Sequence, residues 1–457
     1  MSLIKGRTKI ELFDAKSGKR QKVVESSNLV TNALNHLINF DVMGSQALDD
    51  YVFPIAAKAL GGIMLFDGDI TENVNNIYFP TSVHLVGHAD RAVGTTPLRG
   101  SFNSLESGVT EDGYRSVWDF GTSQANGNIK SICLTNQTAG TQVLTPSSFY
   151  RVNDWEYNGA PTSDPNWCPI RFNNDYCYMI KPGLNNTMRL SRIRVPASGR
   201  KVYDFHRRYS NFEEIASWNT ECFSWERSGT VVKRYADEER CYIDGGDGYI
   251  YAFMNAENDG NSSGDGAFSY FTIKYSDNSF EKSEWQKVTV SGASLTSLSE
   301  TSLFMLSNGY LYIRSYNSKG VYRINMANTS DVRYVQCVDN NSSDYVRTFY
   351  GMPLLNGGGI WIQIHHYTET SNYFIAGLVY EDLTVLIDQR GVPDTNYIGG
   401  FLHCYPQNLI SFQNQINGQA IYPIIQNAYL GTINNLPSVV EKNASQTMKI
   451  TYTLTNT

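Results

Sequence analysis

The sequence predicts an all-β protein. A β-sandwich, formed by the N- and C-terminal segments with one or two short helices, carries an inserted β-propeller of about five blades. Three observations support this prediction: five strand-like segments recur in the second half, both ends of the chain alternate between polar and apolar residues, and a turn-rich stretch separates the two patterns. The expected domains are residues 1–150, 165–425 and 426–457, of which the last completes the first.

The N-terminal 150 residues predict strands with one or two helices. Residues 6–13 alternate as a half-buried strand does. The apolar positions of residues 30–38 have the spacing of an amphipathic helix, and residues 53–60 predict a second short helix that ends at a Gly-Gly pair. Residues 114–120 and 129–134 follow Asp-Gly and Asn-Gly pairs. They predict two hairpin strands, because both pairs accept the positive φ of tight turns.

Five recurring segments define the inserted module. Each is a run of β-branched, aliphatic and aromatic residues after a turn-forming residue, as expected of a strand that follows a tight turn. Equivalent positions lie 73, 61, 50 and 49 residues apart, and repeats of about 40 to 50 residues with insertions are typical of propeller blades. The segments are 175–180, 248–253, 309–313, 358–362 and 408–412.

The C-terminal segment predicts a strand with one buried face. Met448, Ile450, Tyr452 and Leu454 alternate with polar residues, yet this segment is too short to have a core of its own. We therefore expect residues 429–455 to return to the N-terminal sheet. The propeller is then an insertion whose two ends lie close together.

Length and charge limit the classes of function. The chain has 457 residues, 41% of them hydrophobic and 18% charged, which predicts a folded protein of two or three domains. A net charge of −7 gives no indication of a nucleic-acid partner. The basic residues between 181 and 208 alternate with apolar ones, so we assign them to solvated strand faces.

Cysteine usage and hydropathy predict a protein that folds in a reducing cytoplasm without a cofactor. The seven cysteines form no C-x-x-C pair, no histidine has zinc-ligand spacing, and we expect small buried thiols and no metal. The N-terminus has no hydrophobic signal region. The longest apolar stretch, residues 53–66, has only 14 residues and includes Pro54 and Lys58, so no membrane insertion is expected.

Three parts of the chain resemble tail proteins of phages and prophages of Gram-positive bacteria. They are residues 112–129, residues 5–12 together with 28–33, and residues 429–437 together with 446–452. The resemblance implies a β-sandwich that attaches to the virion and carries a variable module between its halves. It also implies localisation in the virion tail after assembly in the host cytoplasm, with other tail or baseplate proteins as partners.

Loop aromatics are the candidate ligand-binding residues. A glycan site needs aromatic platforms for the C–H faces of sugars, flanked by amide and carboxylate groups that form hydrogen bonds. Structural packing is the alternative explanation for these side chains. The candidates are Trp155, Tyr157, Trp167, Trp218 and Trp225.

No motif in the sequence predicts catalysis or a metal site. Acidic residues cluster between the first two repeats, but their spacing places no two of them across one sugar. His365 and His366 are expected to point to opposite faces of a strand. Residues 259–266 resemble the start of an EF-hand loop, although Tyr270 stands where a glutamate belongs. We therefore predict that the protein is not an enzyme. The acidic residues are Glu213, Glu214, Glu221, Glu226, Asp237, Glu238 and Glu239.

The functional prediction is a virion structural protein of a phage tail or baseplate that presents a propeller to a host-surface glycan or protein. One alternative is a purely architectural collar, adaptor or decoration protein, and another is a tail-associated polysaccharide-degrading enzyme. A homo-oligomer is expected, because strand edges need covering and repeated weak sites gain avidity.

Overall fold

The computed structural model describes most of the chain, and everything below concerns the described residues. No helix among them is long and apolar enough to cross a membrane. The described residues are 4–33, 60–77, 79–80, 82–90, 93–94, 96–111, 113–135, 168–172, 176–194, 213–236, 241–245, 247–255, 266–276, 279–296, 298, 304–350, 355–356, 359–367, 372–393, 402–404, 410–414, 421–425 and 429–456.

The described residues form 34 strands. The first nine are β1 Ile4–Asp14, β2 Arg20–Val30, β3 Gly62–Phe66, β4 Phe79–Pro80, β5 Leu85–Ala89, β6 Ser101–Phe102, β7 Gly108–Val109, β8 Gly113–Phe120 and β9 Gly127–Thr135. The next eleven are β10 Cys168–Phe172, β11 Tyr176–Pro182, β12 Thr187–Arg194, β13 Glu213–Asn219, β14 Glu221–Arg227, β15 Thr230–Tyr235, β16 Tyr242–Asp244, β17 Tyr249–Asn255, β18 Ala267–Ser276, β19 Ser279–Lys282 and β20 Gln286–Thr289. The remaining strands are β21 Phe304–Ser307, β22 Tyr310–Arg314, β23 Gly320–Asn325, β24 Asn328–Gln336, β25 Tyr345–Tyr350, β26 Leu355–Asn356, β27 Ile360–Tyr367, β28 Asn372–Val379, β29 Val385–Pro393, β30 Leu402–Cys404, β31 Ile410–Asn414, β32 Ile421–Ile425, β33 Thr432–Lys442 and β34 Gln446–Asn456.

The chain divides into two compact units. Residues Met1–Asn153 and Ile425–Thr457 form one, which we call the terminal unit, and residues Asp154–Ile424 form the other, which we call the inserted unit.

The terminal unit is built on one sheet to which both ends of the chain contribute. Its main path runs β5-β3-β9-β33-β2-β1-β34-β8-β6, and β7 pairs with β8. Strand β34 thus lies between β1 and β8, and β33 lies between β2 and β9. This confirms that the N- and C-terminal segments fold together.

The two ends of this sheet lie close together, so the sheet is nearly closed into a barrel. The His88 amide donates to the Leu98 carbonyl (2.8 Å), and the Gly100 amide donates to the His88 carbonyl (2.9 Å). Residues 98–100 lead directly into β6, so these bonds join β5 to the opposite end of the path. A buried ion pair, Arg99 Nη2 to Asp90 Oδ1 at 2.9 Å, lies at the same junction.

Alternation in the paired strands places one face of the sheet in the core. Ile10 of β1 lies opposite Ile450 of β34, which lies opposite Trp118 of β8, and all three side chains are buried. The intervening residues of β1, such as Arg7 and Lys9, lie on the outer face. The predicted terminal strands are therefore confirmed together with their inward positions.

Two details of the predicted terminal unit differ from the structure. Val30 ends strand β2 and does not begin a helix. Strands β8 and β9 have the predicted positions but are not hairpin partners, because β34 and β33 occupy the places beside them. The two predicted helices otherwise fall largely on residues 34–59, which lie outside the described residues.

Five of the sheets in the described part of the inserted unit have three to five strands each, and we number them blades 1 to 5. They are β10–β13, β16–β20, β21–β24, then β25 with β27–β29, and β30–β32. The five recurring segments of the sequence correspond to β11, β17, β22, β27 and β31, which is the second strand of each blade. The prediction of a propeller of about five blades is therefore confirmed.

Neighbouring blades contact one another through their first strands. Strand β10 contacts both β30 and β16, β16 contacts β21, and β21 contacts β25. Apolar side chains fill the space between the sheets. One cluster joins blades 1 and 2 through residues such as Leu190 and Phe271. A second joins blades 2, 3 and 4 through residues such as Phe253, Phe304 and Ile362.

The longest interval between repeats is explained by an additional hairpin. Strands β14 and β15 pair only with each other among the described residues, and they lie between blades 1 and 2 in the sequence. Ser228 and Gly229 form their turn with positive φ values of 51° and 78°. This hairpin accounts for part of the 73-residue step.

Replacing Asp90 with asparagine should destabilise the terminal unit by about 3–5 kcal/mol, because Arg99 would keep a buried charge without its counter-ion. The matched control is Glu25→Gln, which breaks the exposed pair of Glu25 with Arg7 and should cost less than about 1 kcal/mol. Urea unfolding, monitored by hydrogen exchange of the β5 amides, measures the change in the free energy of unfolding for both variants. Equal effects of the two substitutions would contradict the role given to the buried pair.

The free energy of unfolding of the terminal unit should rise with pH between about 8 and 10.5. Lys442 of β33 is buried, and its Nζ donates to the Gly121 carbonyl (2.8 Å) and to Asn126 Oδ1 (2.9 Å). Burial lowers the pKa of Lys442 to about 8 from its usual 10.5. In that pH range the unfolded chain binds more protons than the folded one, so stability increases with pH, by up to about 1.4 kcal/mol per unit.

Denaturant titrations of the wild type and of Lys442→Met at pH 7, 8, 9 and 10 test this dependence. The variant should lose the upward slope, so its loss of stability relative to the wild type should grow as the pH rises, because the wild-type lysine then becomes uncharged while the variant still leaves two buried acceptors without their donor. An unchanged slope in Lys442→Met would assign the pH dependence to other groups.

Candidate functional site

The candidate site lies at the upper end of blade 3. We use "upper end" for the end of a blade at which its first strand begins and its second strand ends. At the lower end, β21 and β22 join through Asn308 and Gly309, whose φ values of 49° and 78° form a tight hairpin turn. At the upper end, residues 315–319 connect β22 to β23.

Hydrogen bonds within the upper turn fix its conformation. The Gly320 amide donates to Ser315 Oγ (3.0 Å), and Ser315 Oγ donates to Asn317 Oδ1 (2.7 Å). The Lys319 amide also donates to Asn317 Oδ1 (3.1 Å). The turn therefore holds Tyr316 and Lys319 in defined positions.

Three tyrosines lie at this end of the blade, and we call them the tyrosine cluster: Tyr316, Tyr322 and Tyr334. The rings of Tyr322 and Tyr334, which face each other across β23 and β24, have centroids 5.0 Å apart. Ser294 joins the cluster, because its amide donates to the Tyr322 hydroxyl (3.3 Å) and its carbonyl accepts from the Tyr316 amide (2.9 Å).

Gly320 gives Tyr334 its position. A Cβ atom at residue 320 would lie 2.6 Å from the Tyr334 hydroxyl oxygen and 2.2 Å from the Val335 carbonyl oxygen. Partial burial raises the pKa of Tyr334, so its hydroxyl stays protonated at neutral pH.

Exposure distinguishes this cluster from the other described aromatics of the inserted unit. Tyr316 is 54% exposed and Tyr334 is 42% exposed. The other large hydrophobic side chains of the described part of this unit that are exposed are Leu184 and Val231, which are aliphatic. The upper end of blade 3 is therefore where the described residues offer aromatic rings to solvent.

A group of polar side chains adjoins the tyrosine cluster. Lys319 Nζ donates to the carbonyls of Ser342 and Asp344, both at 2.6 Å, and so connects the turn of blade 3 to the segment that enters blade 4. The Asp344 carboxylate lies 2.8 Å from His366 Nδ1. Ammonium and amide groups thus belong to the turn that carries Tyr316, and a carboxylate and an imidazole belong to the neighbouring part of blade 4.

His365 and His366 contact different partners. His365 is buried, and its Nδ1 lies 2.5 Å from the hydroxyl of Tyr345, the residue directly opposite it on β25. His366 contacts Asp344 instead. The two imidazoles lie on opposite faces of β27, as the alternation of a strand predicts.

The predicted aromatic candidates do not converge on one site among the described residues. Trp155, Tyr157 and Trp167 lie outside the described residues. Trp225 lies on β14 opposite Val232, and its side chain is also outside the described part.

Trp218 has a structural explanation. It is only 6% exposed, stacks on Phe280 with centroids 5.5 Å apart, and donates from Nε1 to the Tyr242 hydroxyl at 3.2 Å. Its position opposite Met188 on β12 turns it into the core shared by blades 1 and 2. We therefore leave Trp218 out of the candidate binding surface.

Three of the acidic residues that cluster between the first two recurring segments form ion pairs: Glu213 and Glu214 on β13 and Glu221 on β14. Glu213 binds Arg192 (2.7 Å), and Glu214 lies 3.2 Å from Arg189 on the neighbouring strand. The hydrogen bond from Arg192 lowers the pKa of Glu213. Glu221 pairs with Lys233 across the extra hairpin. These contacts explain the residues as cross-strand pairs on solvated faces.

No group of three metal-ligating side chains occurs in the part of the chain that the structure describes. The loop that resembles the start of an EF-hand, residues 259–265, lies outside that part.

Sequence patterns missed the tyrosine cluster, because exposure depends on what packs against a ring. One signal was available. Tyr316 stands within Ser-Tyr-Asn-Ser directly after the third recurring segment, where a blade turn belongs. An aromatic residue in a turn has less reason to be in the core than one within a strand.

Comparison with known proteins yields similarity to solved structures alone. No protein-family model matches the chain, and no curated protein matches it. The β-1,3-galactosidase BT3683 of family GH43, solved with galactodeoxynojirimycin, is 10% identical over 56% of this chain and 88% of its own, with a TM-score of 0.31. A glycosyl hydrolase from Bacteroides ovatus is 10% identical over 66% of this chain and 97% of its own (TM-score 0.19). AztD of Citrobacter koseri is 9% identical over 99% and 98% (TM-score 0.22).

Two of these structures are glycoside hydrolases, and this finding corrects the prediction that the protein is not an enzyme. The prediction depended on the missing spacing of two carboxylates in the sequence, but chain spacing does not determine which carboxylates meet in a blade assembly. The low identity assigns neither a substrate nor a catalytic residue to this chain.

Replacing Lys319 with methionine should loosen the segment that enters blade 4. Two carbonyl oxygens would lose a charged donor, at a cost of about 1–2 kcal/mol, so amide exchange in residues 338–344 should accelerate about 5- to 30-fold. Hydrogen exchange read by mass spectrometry measures this effect. Lys274→Met, which removes an exposed lysine of blade 2, should leave these rates unchanged. Similar rates in Lys319→Met and the wild type would show that the lysine does not hold this segment.

Proposed function

We propose that this chain is a tail or baseplate protein of a tailed phage or prophage and that its inserted unit binds a host-surface glycan through the tyrosine cluster. The terminal unit attaches the chain to the virion, and the inserted unit faces the host. The observation that carries the proposal is the pair of exposed rings, Tyr316 and Tyr334, beside hydrogen-bonding side chains.

The chemistry of the tyrosine cluster supports a saccharide ligand. Sugars present C–H faces that pack on aromatic rings, and their hydroxyls need donors and acceptors at the edge of the platform. Tyrosine combines a large rigid contact area with a hydroxyl. Asn317 and Lys319 belong to the same turn as Tyr316, and the Asp344 carbonyl accepts a hydrogen bond from Lys319. We expect the amide, ammonium and carboxylate groups of these residues to form hydrogen bonds with the ligand.

The topology supports separate roles for the two units, with attachment assigned to the terminal unit and ligand binding to the inserted unit. The terminal unit contains the segments that resemble phage and prophage tail proteins, and both ends of the inserted unit connect to it in the chain. Such an arrangement lets the inserted unit vary without changing the residues that would attach to the virion. Blade turns lie outside the hydrophobic core, and loops held on a rigid scaffold commonly carry the residues that bind ligands.

A homo-oligomer remains a prediction, with a changed physical basis. Uncovered strand edges do not require it, because the ends of the terminal sheet bond to each other near His88 and Arg99. Avidity still favours it, since shallow aromatic sites bind weakly one at a time.

Removing either exposed ring should weaken glycan binding about tenfold, equivalent to about 1.4 kcal/mol. The variants are Tyr316→Ala and Tyr334→Ala in the full chain. Binding is measured on Gram-positive cells and on polysaccharide purified from their walls. Leu184→Ala, which removes an exposed apolar side chain of blade 1, is the matched control and should bind as the wild type does.

The same samples distinguish the alternatives. Equal binding by the tyrosine variants and the wild type would remove the tyrosine cluster from the proposal. No binding by folded protein across the panel of cells would contradict recognition and favour an architectural role. Release of reducing sugar during the incubation would show that the inserted unit also degrades its ligand.

A further inference from the structure

The core of the terminal unit contains a polar layer. Below Ile10 and Ile450, the next inward positions are Thr8 on β1 and Tyr452 on β34, which lie directly opposite each other. On the other side of β1, Thr8 lies opposite Ser26 of β2. Ser26 Oγ donates to Asn434 Oδ1 of β33 at 2.8 Å. We call Thr8, Ser26, Asn434 and Tyr452 the polar layer.

This layer is closely packed around the first strand. Thr8 is fully buried, and Asn434 and Tyr452 are 1% exposed. At Gly6, one inward position further along β1, a Cβ atom would lie 2.1 Å from Asn28 Oδ1 and 2.3 Å from the Tyr452 hydroxyl oxygen. The absence of a side chain at residue 6 therefore lets these two polar groups approach the backbone.

Three buried atoms of the layer have no hydrogen-bond partner among the described residues. They are Thr8 Oγ1, Asn434 Nδ2 and the Tyr452 hydroxyl oxygen. A 180° rotation of the Asn434 amide would exchange the roles of its oxygen and nitrogen and would still leave one amide atom without a partner. Burying such an atom costs about 1–3 kcal/mol, which is why unpaired buried polar atoms are rare in folded proteins.

Thr8 Oγ1 and Asn434 Nδ2 lie beside the same side chain. Directly opposed residues of an antiparallel pair have Cβ atoms about 4.5–5.5 Å apart, which places Thr8 Oγ1 next to Ser26. Ser26 in turn contacts the Asn434 amide. One small molecule with both donor and acceptor capacity can therefore reach Thr8 Oγ1 and the free amide atom together.

We propose that the polar layer is a binding site for a buried water molecule that bridges Thr8 Oγ1 and the Asn434 amide. Buried waters occupy sites of this kind, where they form about three hydrogen bonds to polar groups that otherwise lack partners. Ser26 Oγ is available as the third partner. The water joins β1, at the start of the chain, to β33, which follows more than 400 residues later.

The site also selects the register of the returning strands. A slip of two residues keeps the inward face inward, so the hydrophobic pattern alone discriminates weakly against it. In one of its two directions, such a slip along β33 would move the Asn434 amide away from Thr8 and Ser26 and towards the apolar layer of Ile10, Val24 and Trp118. An amide buried there would lack both the water and Ser26.

The test is Thr8→Val, which keeps the shape of the side chain and removes its oxygen. If Thr8 Oγ1 binds water, the variant leaves that water short of a partner. Native-state hydrogen exchange of the amides of β1 and β34 in the full chain should then accelerate about 5- to 30-fold. Thr453→Val makes the same chemical change on the outer face of β34, opposite Arg7, and should alter these rates less than about twofold.

The direction in which Thr8→Val changes the exchange rates decides whether the proposal holds. If Thr8 Oγ1 has no partner at all, valine removes a desolvated oxygen at no cost, and exchange stays within about twofold of the wild type or slows. Either result would overturn the proposal. Should the variant fail to fold, a high-resolution crystal structure of the wild type decides. A water within about 3.2 Å of both atoms supports the proposal, and its absence from well-defined density overturns it.

Discussion

The pairing of β1 with β34 is the constraint on which the rest of the structure depends. These two strands, each of 11 residues, pair along their full length from Ile4 opposite Asn456 to Asp14 opposite Gln446. The first and last strands of the chain therefore occupy adjacent places in one sheet. The segment between them must leave this sheet and return to it, so the inserted unit is held by both of its ends.

This constraint assigns different kinds of interaction to the two units. The terminal unit depends on contacts between residues far apart in the sequence, such as Asn434 with Ser26, Lys442 with Gly121 and β34 with β8. In the inserted unit, by contrast, most pairing is between consecutive strands. Non-local pairing is slow to form, because loop closure costs entropy before any contact compensates for it. We therefore expect the blades to fold before the terminal sheet is complete.

The sequence predicted local periodicity well and pairing partners less well. Every recurring segment became the second strand of a blade, because each strand follows its own turn and that signal is local. Strands β8 and β9 were found, but their partners were missed, since no local turn encodes pairing with strands 300 residues away. The candidate functional site was harder to predict from the sequence. Trp218 looked like a loop aromatic, yet its position opposite Met188 buries it, while Tyr316 and Tyr334 remain exposed.

The exposed site depends on the same packing that hides the other aromatics. Phe253, Phe268 and Phe304 fill the space between blades 2 and 3, so these two blades pack through side chains of their strands. Those turns need only a few hydrogen bonds, such as those of Ser315 and Asn317, to hold their shape. The Tyr316 ring therefore has no packing role in the hydrophobic core. A ring held in a fixed turn loses little entropy on binding, and this favours the tyrosine cluster over a flexible loop as a recognition surface.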